Sequence, residues 1–87
     1  LGEQGDLAGA RALFQRALRI EEAKLGPAHP YVATTLDNLA RVLRAQGDLT
    51  GALALHERAL RIYEATLEPA HPDIAKSLSN LAAVLLY

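Results

Sequence analysis

Residues 16–32 read RALRIEEAKLGPAHPYV, and residues 58–74 read RALRIYEATLEPAHPDI, so the second stretch repeats the first after 42 positions. The correspondence extends outward without a gap, and residues 1–42 and 43–84 are identical at 27 of 42 positions. A strict period of this length is typical of a stacked repeat array, in which neighbouring units bury a shared core. Such arrays bind other macromolecules along an extended concave surface.

The pattern between these stretches predicts four helices. All four prolines lie in two short loops, and a glycine–aspartate pair precedes the first and third helical segments. Between these marks, apolar residues recur at spacings of three and four, which predicts helices over about residues 7–25, 30–46, 49–67 and 72–87. No segment alternates apolar and polar residues long enough to predict a strand. Loops this short favour antiparallel neighbouring helices.

The residues at the predicted helix ends agree with this assignment. Asp6 and Asp48 can cap the first and third helices with a side-chain oxygen. Gly26 and Gly47 suit the position after a helix, where the backbone commonly adopts the left-handed conformation. Glu68 stands where the first repeat has Gly26, and it cannot adopt positive φ as easily. We therefore expect the third helix to end differently from the first.

Composition excludes several functional classes. The 87 residues include nine basic and ten acidic side chains, without the basic stripe of a nucleic-acid-binding protein. The lack of cysteine excludes disulfides and cysteine-ligated metal sites, and it agrees with an intracellular, cytoplasmic protein. No apolar run approaches the roughly 18 residues that span a membrane. We expect no cofactor, and we interpret the leucine at position 1 as the start of a fragment or a processed chain.

The repeat resembles the tetratricopeptide repeat, specifically the 42-residue variety found in kinesin light chains. The period alone leaves HEAT and armadillo repeats open, whereas the residue pattern favours tetratricopeptide repeats. The matching motifs are Asn38-Leu39-Ala40, Gln46-Gly47-Asp48-Leu49, Arg58-Ala59-Leu60, and the inter-repeat segments 29–33 and 71–75. The resemblance implies an all-α, right-handed α-solenoid of four helices in antiparallel pairs. It also implies a non-catalytic scaffold for protein–protein interaction.

The two repeats, 1–42 and 43–84, are out of phase with the family's helix pairs. The first and fourth helices therefore lack their usual partners within a repeat. We expect apolar side chains to be exposed at both ends, namely Leu13 and Phe14 at one and Val84, Leu85 and Leu86 at the other. Two such ends favour head-to-tail self-association, a heterologous contact that need not close into a ring.

The resemblance places a peptide-binding surface on the first helix of each family repeat, which lines the groove. On the second helix this surface carries Thr34, Asp37, Asn38, Arg41 and Arg44, and on the fourth it carries Lys76, Ser79 and Asn80. Asn38 and Asn80 match the asparagine with which the family grips a ligand backbone, because an amide both donates and accepts. Cationic side chains beside them would attract an acidic peptide or a C-terminal carboxylate.

The residues do not predict an enzyme, because no hydroxyl side chain stands in a nucleophile-elbow or phosphate-loop context. The paired carboxylates Glu21 and Glu22 are expected on an exposed helix face. His29 and His71 recur one period apart, and we expect each to help start a helix rather than to bind a metal. His56, which replaces Phe14 of the first repeat, is expected to be a half-buried substitution in the core or at its boundary.

An alternative interpretation is a structural module that stacks head-to-tail without a dedicated ligand. High identity between repeats is expected of a recent duplication or of a consensus design. The predicted groove nevertheless diverges more than the core does. The differing pairs are Thr34 and Lys76, Asp37 and Ser79, Arg41 and Ala83, and Arg44 and Leu86. This divergence favours a binding surface over a pure spacer.

Overall fold

The computed structural model describes residues 5–86, which form four helices joined by short loops. The helices are α1 (Leu7–Leu25), α2 (Pro30–Ala45), α3 (Leu49–Thr66) and α4 (Pro72–Leu85). No strand occurs in this range. The all-α solenoid predicted from the sequence is confirmed, although α2, α3 and α4 end slightly earlier than predicted. Tyr87, the predicted end of the fourth helix, lies outside the described residues.

The aspartates cap their helices as predicted. The Asp6 carboxylate accepts a hydrogen bond from the Gly9 N–H at 2.8 Å, and Asp48 accepts one from the Gly51 N–H at 2.9 Å. A β-carbon on either glycine would lie within 3 Å of the capping carboxylate. A side chain at either position would therefore require the flexible aspartate carboxylate to shift. The period of 42 residues thus repeats a complete capping unit and not only a core pattern.

The equivalent helices α1 and α3 end differently because of one substitution. Gly26 closes α1 with a φ of 92°. At the equivalent end of α3 no residue has a positive φ, and Leu67 is extended with a φ of −113°. Leu67 therefore lies outside α3, whereas its equivalent, Leu25, is the last residue of α1. The expected effect of Glu68 is confirmed.

The core lies on both sides of α2, which packs against α1, α3 and the side of α4. One cluster of buried residues joins α2, α3 and the start of α4, and consists of Val32, Ala33, Leu36, Ala59, Ile62, Tyr63 and Ile74. A second cluster, Ala40, Leu43, Ala52 and Val84, lies towards the other end of these helices. No residue of α1 is buried. The interior half of the chain thus supplies most of the core.

The stack curves towards α2 and α4. Cα atoms of these two helices approach within 8 Å, whereas no described Cα pair between α1 and α3 does so. Where side-by-side helices lie closer together, a layered stack is concave. This places α2 and α4 on the inner side, as the resemblance implied.

The ends of the stack expose apolar side chains, although Phe14 and Val84 are less exposed than predicted. Leu13 on α1 and Leu85 and Leu86 at the end of α4 are exposed, as predicted, and Phe14 is half-buried. The prediction for Val84 is wrong, because this side chain is buried against Ala40, Leu43 and Ala52. Val84 projects from the side of α4 that faces α2 and α3, and only the opposite side of α4 is uncovered. None of the described helices is both long and apolar enough to cross a membrane.

Candidate functional site

A polar cavity of about 160 Å³ lies between α2 and α4 on the inner side of the stack. Six of the eight predicted groove residues line it, together with one residue of α3 and one at the start of α4. The lining residues are Thr34, Asp37, Asn38, Arg41, Tyr63, Asp73, Lys76 and Asn80. The helical spacing of three and four residues therefore brings most of the predicted set together.

Two predicted residues do not line this cavity. Arg44 lines a neighbouring hollow of about 330 Å³ between α1 and α2, which also includes Leu7 and Phe14. Ser79 is exposed on α4, beside the cavity. Asn38 and Arg41 border both hollows, so Arg44 extends the same polar surface towards α1.

The two asparagines occupy equivalent positions, one period apart, and both are half-buried. The Asn38 Oδ1 accepts one long hydrogen bond, at 3.4 Å, from the Arg41 guanidinium. The Asn80 Nδ2 is buried without a hydrogen-bond partner among the described residues. Buried amide donors are nearly always paired. Most of the hydrogen-bonding capacity of these two amides is therefore not used within residues 5–86.

Asp37 contributes to the fold as well as to the cavity wall. The His56 ring N–H at Nδ1 donates to the Asp37 Oδ1 at 2.7 Å, and this bond joins α2 to α3. His56 is only 1% exposed, so it lies in the core rather than at its boundary and is buried more deeply than expected. Asp37 is buried too, and its carboxylate is already engaged. The other charged side chains that line the cavity are those of Arg41, Asp73 and Lys76.

Tyr63 is a cavity residue that sequence reasoning missed. Its hydroxyl lies 2.7 Å from the Thr34 Oγ1, which fixes the ring across the α2–α3 contact. Burial raises the pKa of the Tyr63 phenol; the Thr34 hydrogen bond opposes this shift, while the charges of Asp37 and Asp73 add to it. The phenol is therefore a neutral hydrogen-bonding group. The signal in the sequence was the replacement of Glu21 by tyrosine at the equivalent position.

Asp73 is the second missed residue, and it lies in the first turn of α4. It faces the same cavity as Arg41 and Lys76, both of which are exposed. With the Asp37 carboxylate bonded to His56, the remaining charged groups are Arg41, Lys76 and Asp73, whose Oδ2 lies 3.9 Å from the His71 Nδ1. The cavity therefore has a slight excess of positive charge at its solvent-facing edge.

The remaining histidines act as helix caps, as the sequence indicated. The Nδ1 atoms of His29 and His71 accept hydrogen bonds from the backbone N–H groups of Tyr31 and Asp73, at 3.0 and 3.1 Å. Within residues 5–86, no three histidine or carboxylate side chains are grouped as metal ligands. The Nδ1 atom of each of these two imidazoles thus already has a structural partner at the start of its helix.

Glu21 and Glu22 do not lie on a bare helix face, so that prediction is wrong. Glu21 accepts a hydrogen bond from the Thr35 hydroxyl at 2.6 Å, and Glu22 pairs with Arg58 at 2.6 Å. Both carboxylates are half-buried. Glu21 ties α1 to α2, and Glu22 ties α1 to α3.

Comparison with known proteins gives one family. A family model described as tetratricopeptide repeat matches residues 1–65 and, in a second overlapping match, residues 38–87. The two matches together cover the whole chain. No curated protein matches it.

Proposed function

We propose that this chain, which belongs to the tetratricopeptide repeat family, binds an extended, acidic peptide segment of a partner protein across α2 and α4. Repeats of this family generally mediate protein–protein interaction. The observation that carries the proposal is the position of Asn38 and Asn80, which line one cavity from equivalent places on two neighbouring helices. Their unused amide groups match the alternating donors and acceptors of a peptide backbone.

The charge around the cavity supports an acidic peptide. Arg41 and Lys76 are exposed at its edge, and Arg44 lies beside it. Arginine binds carboxylates through two parallel hydrogen bonds, and lysine acts as a point charge. We therefore assign these cations to an acidic side chain or a C-terminal carboxylate of the partner, with Asp73 limiting how much negative charge is accepted.

The two buried titratable groups of the cavity, Asp37 and Tyr63, do not support a catalytic role. The Asp37 carboxylate is bonded to His56, and burial keeps the Tyr63 phenol neutral. A general base or nucleophile needs a free lone pair within reach of a substrate. Neither group meets this requirement in the described cavity.

The proposal is tested by panning a random dodecapeptide library against the chain and measuring the affinity of selected peptides by fluorescence polarisation. The test variant is Asn38→Ala/Asn80→Ala. The matched control is Glu57→Ala/Arg61→Ala, which removes two exposed polar side chains from the outer face of α3. Circular dichroism confirms that both variants retain the parent's helix content.

We expect the selected peptides to be enriched in aspartate and glutamate. Their affinity should fall roughly tenfold or more in the asparagine variant, because each lost hydrogen bond to the backbone contributes about 0.5–1.5 kcal/mol. The control variant should bind as the parent does. Equal binding to the parent and to a folded asparagine variant would refute this site, and so would a library that yields no binder.

A further inference from the structure

The uncovered side of α4 repeats a side of α2 that is covered by α3. Leu36 is 0% exposed in the α2–α3 contact, whereas its equivalent on α4, Leu78, is 51% exposed. Leu43 is 6% exposed, and its equivalent, Leu85, is 71% exposed. The apolar side chains that bind α3 are thus present again on α4, with no helix packed over them in the described chain.

The uncovered side of α1 repeats the surface of α3 that packs against α2. Ile62 is buried in the α2–α3 contact, whereas its equivalent, Ile20, is exposed. Leu55 packs against the same core, and its equivalent, Leu13, is exposed. One end of the chain therefore presents a copy of the α2 surface, and the other end presents a copy of the α3 surface.

Where a polar residue of α2 pairs with one of α3, the equivalent residues on α4 and α1 both differ from them. Thr34 and Tyr63 lie 2.7 Å apart across the α2–α3 contact. Their equivalents are Lys76 on α4 and Glu21 on α1, which carry opposite charges. A neutral hydrogen-bonded pair is thus replaced by an attractive ionic pair, provided that α1 of one molecule meets α4 of another.

The buried pair of Asp37 and His56 shows the same relation. Its equivalents are Ser79 on α4 and Phe14 on α1, so the carboxylate and the imidazole that donates to it are both absent. Replacing only one member would bury a polar group without a partner. Neither change would therefore place like charges or an unpaired buried polar group in a contact between α4 and α1.

A third pair is retained. Arg58 on α3 bonds Glu22 on α1 at 2.6 Å, which links alternate helices on the outer side of the stack. The equivalents Arg16 and Glu64 keep the same residue types. In a continued stack they would form the same bond between α1 of one molecule and α3 of its neighbour.

We propose that a second copy of this chain docks its α1 onto α4 of the first, in the geometry in which α3 packs on α2. The two copies are then offset by two periods, and residue 5 of the second falls three positions beyond residue 86 of the first. The described parts of the two copies therefore do not overlap. The contact is heterologous, so it propagates into an open filament.

The test blocks one end at a time. Leu13→Glu disables the α1 surface and leaves α4 free, whereas Leu85→Glu disables α4 and leaves α1 free. Both leucines are exposed, so neither change removes a core contact within one molecule. Ala54→Glu, on the exposed face of α3, is the matched control. If circular dichroism shows that Leu85→Glu has lost helix, Leu78→Glu replaces it.

Mass is measured by light scattering after size exclusion, over a hundredfold range of concentration. We expect the mass of the parent and of the control to rise with concentration, without a plateau. Each end-blocked variant should remain at the monomer mass of 9.3 kDa. An equimolar mixture of the two should form a dimer of twice that mass and nothing larger, because each variant supplies the surface that the other lacks.

Three results would overturn the proposal. A parent chain that stays monomeric throughout has no such contact. Blocked variants that still dimerise alone would mean a self-complementary contact between like ends, and a mixture that stays monomeric would mean that α1 and α4 do not pair.

The charge pair gives a second readout within the mixed dimer. Lys76→Glu in the Leu13→Glu partner, or Glu21→Lys in the Leu85→Glu partner, should weaken the dimer about two- to fivefold. The two reversals together should restore the affinity. Because Glu21 also accepts a bond from Thr35, only rescue by the double reversal assigns the effect to the junction. Absence of rescue would refute the proposed register.

Discussion

His56→Phe is expected to destabilise the chain, although it restores the residue type found at Phe14 in the other repeat. The substitution leaves the Asp37 carboxylate buried between α2 and α3 without the ring N–H that now donates to it at 2.7 Å. Conversely, Asp37→Ser leaves a buried imidazole without its acceptor. The double variant reproduces the pair Ser79 and Phe14, in which neither problem arises.

The magnitude follows from burial. His56 is 1% exposed and Asp37 is 8% exposed, so water cannot replace a lost partner fully. An unsatisfied buried polar group costs about 1–3 kcal/mol, and hydrogen bonds to charged groups lie towards the upper part of that range. We expect each single variant to lose about 1–3 kcal/mol of unfolding free energy. The double variant should lie within about 1 kcal/mol of the parent, because a buried pair replaced by packed neutral groups is often neutral.

The assay is urea denaturation followed by circular dichroism, for the parent, both single variants and the double variant at neutral pH. The coupling free energy of the four-membered cycle isolates the pair from the added packing of phenylalanine. Melting temperatures give a second measure, at roughly 4–8 °C per kcal/mol for a domain of this size. Additive effects, with coupling below about 0.5 kcal/mol, would refute the role assigned to the bond.

The remaining predictions concern packing, titration and capping. Leu39→Ala should cost about 2–5 kcal/mol, whereas Phe14→Ala should cost less because Phe14 is only half-buried; equal losses in denaturation of the monomer would contradict this. Because burial raises the pKa of Tyr63 above its ordinary value, its neutral form stabilises the fold below pH about 10, and this contribution is lost as the pH rises through the folded-state pKa. The parent should therefore lose stability more steeply than Tyr63→Phe in urea melts between pH 9 and 11, and parallel curves would contradict the shift. His29→Ala should cost about 0.5–2 kcal/mol through loss of the α2 cap, whereas His29→Asn should retain most of it; an unchanged melting temperature for His29→Ala would contradict the capping role.

The helices and their ends were predictable because their causes are local. An aspartate cap, a glycine with positive φ, and the loss of that glycine at position 68 each act within a few residues of the helix end. The period then transfers each assignment to the other repeat. The structure therefore differs from the prediction of the helices mainly by short shifts at their C-terminal ends.

The burial of individual residues was less predictable because it depends on which neighbours exist. Val84 was expected to be exposed with Leu85 and Leu86, since all three follow one another near the end of the chain. A helix turns by about 100° per residue, so consecutive side chains face different partners. Val84 faces the α2–α3 core, whereas Leu85 faces the side of α4 that no described helix covers.

The candidate site was predicted on α2 and α4 but not on α3. Spacing within one helix identifies residues that share a face, and this placed six residues on one cavity. It carries no information about a side chain that reaches in from another helix. Tyr63 and the Asp37–His56 bond were missed for this reason, because both cross from α3 to α2.

These cross-helix bonds also change what the divergence between the repeats means. The sequence alone attributed four differing pairs of positions to a ligand groove. In the structure, Thr34 bonds Tyr63 and Asp37 bonds His56, so two of those four differences lie in helix contacts. Because their partners on α3 differ from the equivalents on α1 in a matching way, helix pairing explains these two differences without a ligand. The proposal of peptide binding therefore depends on Asn38 and Asn80 and on Arg41 and Arg44. The proposal of self-assembly depends on the matching replacements of the Thr34–Tyr63 and Asp37–His56 pairs at the two ends of the chain.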